Sequence, residues 1–251
     1  MATKKMINPQ ELERYDRQIM IPGFGVEGQV KLKKARVLIA GAGGLGCPAA
    51  TYLTAAGVGE IRIVDFDRVS LSNLNRQVLH WEKDLGDFKV HSVSSKLSGL
   101  NSSITISGVT ETITEKTILS IISDVDIILD ALDNFETRLV LNKGAVSLQI
   151  PLIYGGINGF VGMTTTIIPY ETPCLSCLFP NPIPQEKFAV LGTTPAVIAS
   201  IQATEVIKLI VGLGNLLKKR LLIYDGEIMR FNEVAVERNP ACPVCGERNS
   251  V

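Results

Sequence analysis

The chain has 251 residues, of which 46% are hydrophobic and 20% are charged. These proportions are typical of a globular protein with a sizeable core, and they exclude a disordered or fibrous chain. The formal net charge is zero, so no long-range field favours nucleic acid as a partner. Residues 1–10 lack the apolar core of a signal peptide, and no run of about 18 apolar residues predicts a membrane span.

The first part of the chain alternates predicted strands and helices. Residues 9–34 predict two helices separated by a break at 22–25, which contains proline and glycine. Short apolar runs then predict buried strands, at residues 36–40, 60–65, 104–109, 125–129 and 151–154. Helical segments separate them, at residues 47–56, 89–100, 118–123 and 134–149. This alternation predicts an α/β fold with a Rossmann-like, doubly wound and mostly parallel sheet.

The later part of the chain changes character. Three extended segments predict antiparallel strands that continue the same sheet, at residues 162–168, 221–224 and 231–236. A long apolar helix is predicted at 195–213, after a proline-rich crossover loop at about 178–194. We therefore expect a single domain over residues 1–251, with a helical segment at its N-terminus.

A glycine-rich loop follows the first predicted strand. Its glycines are Gly41, Gly43, Gly44 and Gly46, which match G-x-G-x-x-G between a strand and a helix. Such glycines let the backbone approach a phosphate at a helix N-terminus. Asp65 ends the second strand, where a carboxylate can accept hydrogen bonds from ribose hydroxyls. Taken alone, this fingerprint would favour NAD or FAD over ATP.

Polar residues around the loop change this interpretation. Asp67 and the segment 68–77 follow the second strand, Lys89 opens a helix, and Asp133 and Asn134 follow the fourth strand. A dehydrogenase needs no such group, whereas adenylation of a carboxylate needs cations and Mg²⁺ at the phosphates. Asp133 could hold Mg²⁺, cap the helix that begins near Asn134, or do both.

Four of the five cysteines form two C-x-x-C pairs, Cys174 with Cys177 and Cys242 with Cys245. This spacing suits four thiolates on one tetrahedral Zn²⁺, and a closed site of this kind is structural. Neither pair lies at the strand–helix junction typical of redox C-x-x-C motifs. In a chain without a signal peptide, the pattern indicates metal binding in a reducing cytoplasm.

The sequence resembles the ThiF/MoeB/HesA family, relatives of the ubiquitin-activating enzymes, from about residue 13 to 246. The segments that carry the resemblance are residues 13–18, the glycine loop, residues 64–67 and 72–77, Lys89, residues 133–134 and the two cysteine pairs.

The resemblance implies an adenylyltransferase that uses ATP and Mg²⁺. It implies catalytic roles for Arg17, Arg76, Lys89 and Asp133. The implied nucleotide site comprises Gly41, Gly43, Gly44, Gly46, Asp65, Asp67, Ser72, Asn73, Asn75, Arg76, Lys89, Asp133 and Asn134. In the family, the arginine that matches Arg17 reaches the ATP of the other subunit, which implies a homodimer with shared sites.

The sequence departs from the family in the crossover loop. Many members carry a cysteine in the crossover loop, but residues 178–194 contain none here. Only Cys47 remains outside the two pairs, and a small cysteine on the first helix is most often a packed core residue. We therefore expect the reaction to stop at the acyl-adenylate, which an external sulfur donor or other nucleophile would attack. The sequence ends soon after the second pair, so we expect no fused sulfurtransferase domain.

The leading hypothesis is adenylation of the C-terminal Gly-Gly carboxylate of a small ubiquitin-like sulfur carrier, for molybdopterin, thiamine or a similar pathway. Alternatives are a peptide or modified-tRNA carboxylate, a nucleotide-binding subunit without activity, and an NAD-dependent dehydrogenase. The neutral charge disfavours tRNA. The basic and acidic residues around the glycine loop disfavour both an inactive subunit and a dehydrogenase. The two histidines, His80 and His91, match no catalytic pattern.

Overall fold

The computed structural model describes residues 7–181 and 189–246 and places eight strands in one sheet. The strands are β1 (Arg36–Ala40), β2 (Glu60–Val64), β3 (Thr105–Val109), β4 (Ile127–Asp130), β5 (Leu152–Asn158), β6 (Val161–Ile167), β7 (Arg220–Asp225) and β8 (Arg230–Ala235). Their order is β3-β2-β1-β4-β5-β6-β7-β8. The predicted mixed sheet is confirmed.

The strands β1 to β5 are parallel, as in a doubly wound fold. The strand β1 lies between β2 and β4, with Ile39 opposite Ile63 on one side and Leu129 on the other. All three side chains are buried. Helices that cover both faces of a parallel sheet require this continuous apolar character.

Nine helices are described, and two apolar clusters lie on opposite faces of the sheet. The helices are α1 (Pro9–Arg14), α2 (Asp16–Ile19), α3 (Gly25–Lys34), α4 (Gly46–Ala56), α5 (Lys89–Leu100), α6 (Ile118–Ile122), α7 (Phe135–Ser147), α8 (Leu175–Leu178) and α9 (Thr193–Val211). One cluster contains residues of α3, α4, α5 and α9, and the other contains residues of α6, α7 and α8. The crossover helices that follow β1 and β4, α4 and α7, therefore cover different faces of the sheet.

The antiparallel part begins at β5, which pairs with β6 through a tight turn at Gly159. The strand β5 is longer than predicted and runs through Gly155 and Gly156 to Asn158. The next two strands, β7 and β8, continue the sheet to an exposed edge.

The helix α9 is the one described helix that is long and apolar enough to be considered as a membrane span. Half of the relevant segment is buried inside the protein, where α9 packs on β5 and β6. Its apolar character is therefore explained by the core. Residues 182–188 of the predicted crossover loop lie outside the described residues.

Candidate active site

A cavity of about 670 Å³ lies at the carboxyl ends of the parallel strands. Gly41 after β1, Asp65 after β2 and Ala131 after β4 all line it. The chain leaves β1 and β4 toward opposite faces of the sheet, so the two strand ends diverge and leave a crevice. Ligands of open α/β sheets bind at such a switch point.

The glycine loop fits against the end of β4 because it lacks side chains. Gly41 has a φ of +108°, and a Cβ there would lie 2.6 Å from the carbonyl oxygen of Ala131. A Cβ on Gly46 would lie 1.9 Å from the carbonyl oxygen of Gly41. Only glycine allows both the φ angle and the close approach. The loop therefore forms a tight turn, and α4 begins beside the cavity.

Asp65 holds the loop to the end of β2. Its Oδ2 accepts from the backbone N–H of Ala42 at 2.8 Å, and its Oδ1 accepts from that of Asp67 at 2.8 Å. Burial raises the pKa of the Asp65 carboxyl, against the effects of Lys89 and of these two N–H groups. The carboxylate lines the cavity, where it can also accept hydrogen bonds from a sugar.

Two cationic side chains line the same part of the cavity. The Nζ of Lys89 donates to Asp67 Oδ2 at 2.8 Å, and the lysine is almost fully buried. Arg76 donates from Nη1 to the carbonyl oxygen of Ser72 at 2.8 Å and to Asn75 Oδ1 at 3.0 Å. Both cations are held in place by short bonds, so an anion in the cavity would meet preplaced positive charge.

Asn134, and not Asp133, is the N-cap of α7. The Oδ1 of Asn134 accepts from the backbone N–H of Thr137 at 2.9 Å, and the helix begins at Phe135. The alternative role of Asp133 as the cap is therefore wrong. A cap carboxylate would be committed to the helix backbone, whereas Asp133 is exposed at the cavity and is available to a cation.

An aromatic arm extends the cavity away from the glycine loop. The ring of Phe179 lies 5.2 Å from that of Phe135 and 5.7 Å from that of Tyr154. The guanidinium of Arg138 lies 5.1 Å from the Tyr154 ring centre. Arg138 is buried and donates from Nη2 to the carbonyl oxygen of Leu132, and its Nε forms an ion pair with Asp130 Oδ1 at 3.8 Å.

Sequence reasoning missed Arg138, Tyr154 and Gln77 as cavity residues. Gln77 is buried, and its Oε1 has no partner among the residues that the structure describes. One signal was available for Arg138, since it lies four residues after Asn134 and so on the same helix face. The sequence contains no such signal for Tyr154, because a tyrosine in a buried strand is normally interpreted as a core residue.

The structure brings nine of the expected nucleotide-site residues to the cavity wall and leaves others away from it. Those at the wall are Gly41, Gly43, Gly44, Asp65, Asp67, Arg76, Lys89, Asp133 and Asn134. Ser72 and Asn75 instead hold Arg76, and Asn73 Oδ1 accepts from the Ser70 N–H at 3.1 Å. Arg17 is exposed on α2 and does not line the cavity of its own chain.

The two cysteine pairs meet in one cluster beneath α8. The four sulfur atoms of Cys174, Cys177, Cys242 and Cys245 lie within 4.8 Å of one another. Two of the separations are 3.7 Å and 3.4 Å. Sulfur atoms at the corners of a tetrahedron around zinc would lie about 3.8 Å apart, given Zn–S bonds of about 2.3 Å. The donor set and its dimensions therefore fit a structural Zn²⁺.

Cys47 is fully buried beneath the glycine loop. Burial raises the pKa of its thiol to about 12. The thiol donates to the carbonyl oxygen of Ala42 at 3.3 Å. A neutral, enclosed thiol cannot act as a nucleophile, so Cys47 is a core residue.

The fold and the cavity are those of a nucleotide-dependent adenylyltransferase, and the chain belongs to the ThiF family, whose model matches residues 15–244. The sulfur carrier protein adenylyltransferase of Thermus thermophilus is 41% identical over 249 residues, which cover 95% of this chain and 92% of the relative. The SAMP-activating enzyme E1 of Haloferax volcanii is 42% identical, with 96% and 91% covered. The adenylyltransferase and sulfurtransferase MOCS3 of Anopheles gambiae is 43% identical, and the match covers 96% of this chain but 56% of that relative.

Among solved structures, the chain is similar to MccB of E. coli bound to AMPCPP and MccA. The TM-score is 0.86 at 28% identity, and the match covers 96% of this chain and 76% of that one. AMPCPP is an analogue of ATP, so a related protein holds an adenine nucleotide within the same fold.

Proposed function

We propose that this protein uses ATP and Mg²⁺ to adenylate the C-terminal carboxylate of a small ubiquitin-like sulfur-carrier protein. One observation carries the proposal: a single cavity joins the glycine loop and two fixed cations to an aromatic arm that a second substrate can enter. The names of the relatives from Thermus and Haloferax support a protein carboxylate as that substrate.

In the proposed reaction, a carboxylate oxygen attacks the α-phosphorus of ATP. The bond between the α-phosphorus and the bridging oxygen breaks, and pyrophosphate leaves with the bond electrons. Negative charge grows on the phosphate oxygens, and Lys89 and Arg76 stabilise it because both are already held at the cavity wall. Asp133 would hold Mg²⁺, which neutralises phosphate charge when bound.

The aromatic arm suits a flexible chain terminus better than a bulky one. Gly156 lines the cavity, and a Cβ there would lie 2.3 Å from the hydroxyl oxygen of Tyr154. This part of the wall is therefore already close-packed. A tail that ends in Gly-Gly is thin enough to pass such a wall, and Arg138 could meet its carbonyl or carboxylate oxygens.

The product of the proposed reaction is the acyl-adenylate. All five cysteines lie in described segments: four form the metal-type cluster, and Cys47 is enclosed. No thiol of this chain is therefore placed to form a thioester, and the nucleophile that consumes the adenylate must come from another molecule. The sulfur pathway that it serves, molybdopterin, thiamine or another, stays open.

We further propose a homodimer in which Arg17 completes the partner's site. The exposed position of Arg17, away from the cavity of its own chain, supports this arrangement. Thiol ligands also require a reducing compartment, so we expect the protein to act in the cytoplasm.

The decisive experiment is ATP–pyrophosphate exchange with Mg²⁺, with and without a small carrier protein that ends in Gly-Gly. Exchange that depends on the carrier is the expected result. The similarity to MccB bound to MccA makes a peptide carboxylate the second candidate substrate. Exchange with a peptide but not with the carrier would establish this alternative, and no exchange with either, despite ATP binding, would indicate a subunit without activity.

A further inference from the structure

A buried polar chain lies behind the glycine loop, outside the cavity. It consists of His80, Ser92, Asp84 and Lys96; the first three are at most 7% exposed. None of the four lines the cavity, and the mechanism above uses none of them. Burying polar groups is costly unless each is hydrogen-bonded, so a buried group of this kind needs an explanation beyond packing.

His80 connects this chain to the glycine loop. Its Nε2 lies 2.9 Å from the carbonyl oxygen of Ala42. A carbonyl only accepts, so Nε2 must carry the hydrogen. Burial lowers the pKa of His80, with Lys89 and Lys96 acting in the same direction, so the ring is neutral near pH 7. Its Nδ1 is then an acceptor.

Ser92, Asp84 and Lys96 form the other part of this hydrogen-bonded group and lie against the His80 ring. The Ser92 hydroxyl donates to Asp84 Oδ2 at 3.0 Å, and its oxygen lies 2.9 Å from His80 Nδ1. Asp84 already accepts from Lys96 and, at 2.8 Å, from the backbone N–H of Trp81. Lys96 also donates to Ser92 Oγ at 2.8 Å, so the serine beside the His80 ring is itself held by both Asp84 and Lys96.

Ala42 is therefore held from both sides. Its N–H donates to Asp65 Oδ2 at 2.8 Å, and its carbonyl oxygen accepts from His80. Together with the Cys47 thiol, which also donates to the Ala42 carbonyl oxygen at 3.3 Å, these bonds fix the orientation of Ala42. The carbonyl oxygen, which would repel a phosphate, points into the protein toward His80. Gly43 and Gly44, the next two residues, line the cavity, where backbone N–H groups at a helix N-terminus can bind a phosphate.

We propose that His80 is a positioning residue for the nucleotide, which acts on the triphosphate through the Ala42 carbonyl. This inference rests on the proposed function, since it assigns the loop to ATP. We assign to the loop a role in binding ATP, with contacts to the phosphates that are the same before and during the reaction. Loss of His80 should therefore raise the Kd and the KM for ATP and leave kcat nearly unchanged.

A pair of variants that differ by one methylene tests this role. The amide nitrogen of His80→Gln can take the place of Nε2 and still donate to Ala42, whereas the shorter His80→Asn cannot reach it. We expect His80→Asn to weaken ATP binding by about tenfold, the loss of one buried hydrogen bond, and His80→Gln by less than about threefold. Both should keep kcat for exchange at saturating ATP within about threefold of the wild type.

The control separates positioning from general destabilisation. Leu97 is fully buried on α5, the helix that carries Ser92, but it belongs to the apolar cluster and not to the polar chain. Leu97→Ala should lower the melting temperature at least as much as His80→Asn and leave the Kd for ATP unchanged. Ser92→Ala should weaken binding alone and add nothing in the His80→Asn background, because both act through Ala42.

Direct ATP binding, measured by calorimetry without a carrier protein, distinguishes the outcomes. Equal Kd values for the wild type, His80→Gln and His80→Asn would overturn the role of His80 and leave the proposed function intact. A wild type that binds no ATP would overturn both. Weak binding by His80→Asn with near-normal binding by His80→Gln is the expected result.

Discussion

Asp133 is the residue whose charge should matter most to the chemistry and least to the fold. It is exposed at the cavity, and the cap of α7 is the neighbouring Asn134. We predict that Asp133→Asn lowers kcat for ATP–pyrophosphate exchange by about 100-fold or more, as expected when a ligand to the charge-stabilising cation is lost. The melting temperature should stay within about 2 °C of the wild type, since a surface substitution costs little.

A matched control lies three residues further along the chain. Glu136 is also exposed, belongs to the first turn of α7 and does not line the cavity. Glu136→Gln makes the same change of charge near the same helix end and should leave exchange unchanged. Equal losses in both variants would point to the helix dipole, and full activity in Asp133→Asn would remove Asp133 from the mechanism.

Individual site residues could be predicted where their backbone position is fixed by a local motif. Asp65 and Lys89 follow directly from the ends of a strand and the start of a helix. Asp133 follows from its place after β4. By contrast, the Tyr154 ring lies at the cavity beside Arg138 and Phe179, and no local sequence pattern encodes that proximity.

At the scale of the strand–loop–helix element, Gly41 should not tolerate a side chain. Its φ of +108° is strained for any other residue, and a Cβ would lie 2.6 Å from the carbonyl oxygen of Ala131. We predict that Gly41→Ala lowers the free energy of unfolding by about 2–4 kcal/mol, measured by urea denaturation. ATP binding should fall as well, because the loop cannot keep its place beside β4.

The chain offers a glycine in α5 as the opposite case. A Cβ on Gly99 would meet nothing within 4 Å. Gly99→Ala should therefore raise the free energy of unfolding by up to about 1 kcal/mol, since alanine favours a helix more than glycine does. A Gly41→Ala variant as stable as the wild type would show that the loop does not need this geometry.

Elements with one strong periodic or apolar signal were predicted well, and short or glycine-containing ones were not. The strand β1 and the helix α5 have the bounds that the sequence predicts. The strand β5 extends beyond its predicted end because Gly155 pairs with Thr164, although glycines normally indicate a break. The helix α8 has four residues, too few to show a helical period.

At the scale of the whole molecule, the cysteine cluster joins the segment after β8 to α8. Cys174 and Cys177 lie at α8, while Cys242 and Cys245 lie beyond the last strand. We predict about one zinc per chain, lost in Cys242→Ala, because three thiolates leave the closed site incomplete. Amide exchange should then rise by about tenfold or more in residues 239–246 and in α8, and stay unchanged in α4.

The remaining cysteine provides the control for metal content. Cys47 is a core residue, and all four cluster sulfurs are independent of it. Cys47→Ala should therefore keep the zinc content of the wild type. Zinc retained in Cys242→Ala at full stoichiometry would contradict a four-thiolate site. Faster amide hydrogen exchange spread evenly over the chain would contradict a local stabilising role for the cluster.

The proposed sharing of sites between subunits gives the sharpest prediction for the assembly. Arg17→Ala and Asp133→Ala chains should each be inactive alone. If each site uses its own Asp133 and the partner's Arg17, a mixed dimer regains one working site. Random mixing in equal amounts makes half the dimers mixed, so exchange should recover to about a quarter of the wild-type rate. If Arg17 acted within its own chain, neither subunit of the mixed dimer would hold a complete site, and activity would stay absent even when mass spectrometry confirms that mixed dimers have formed.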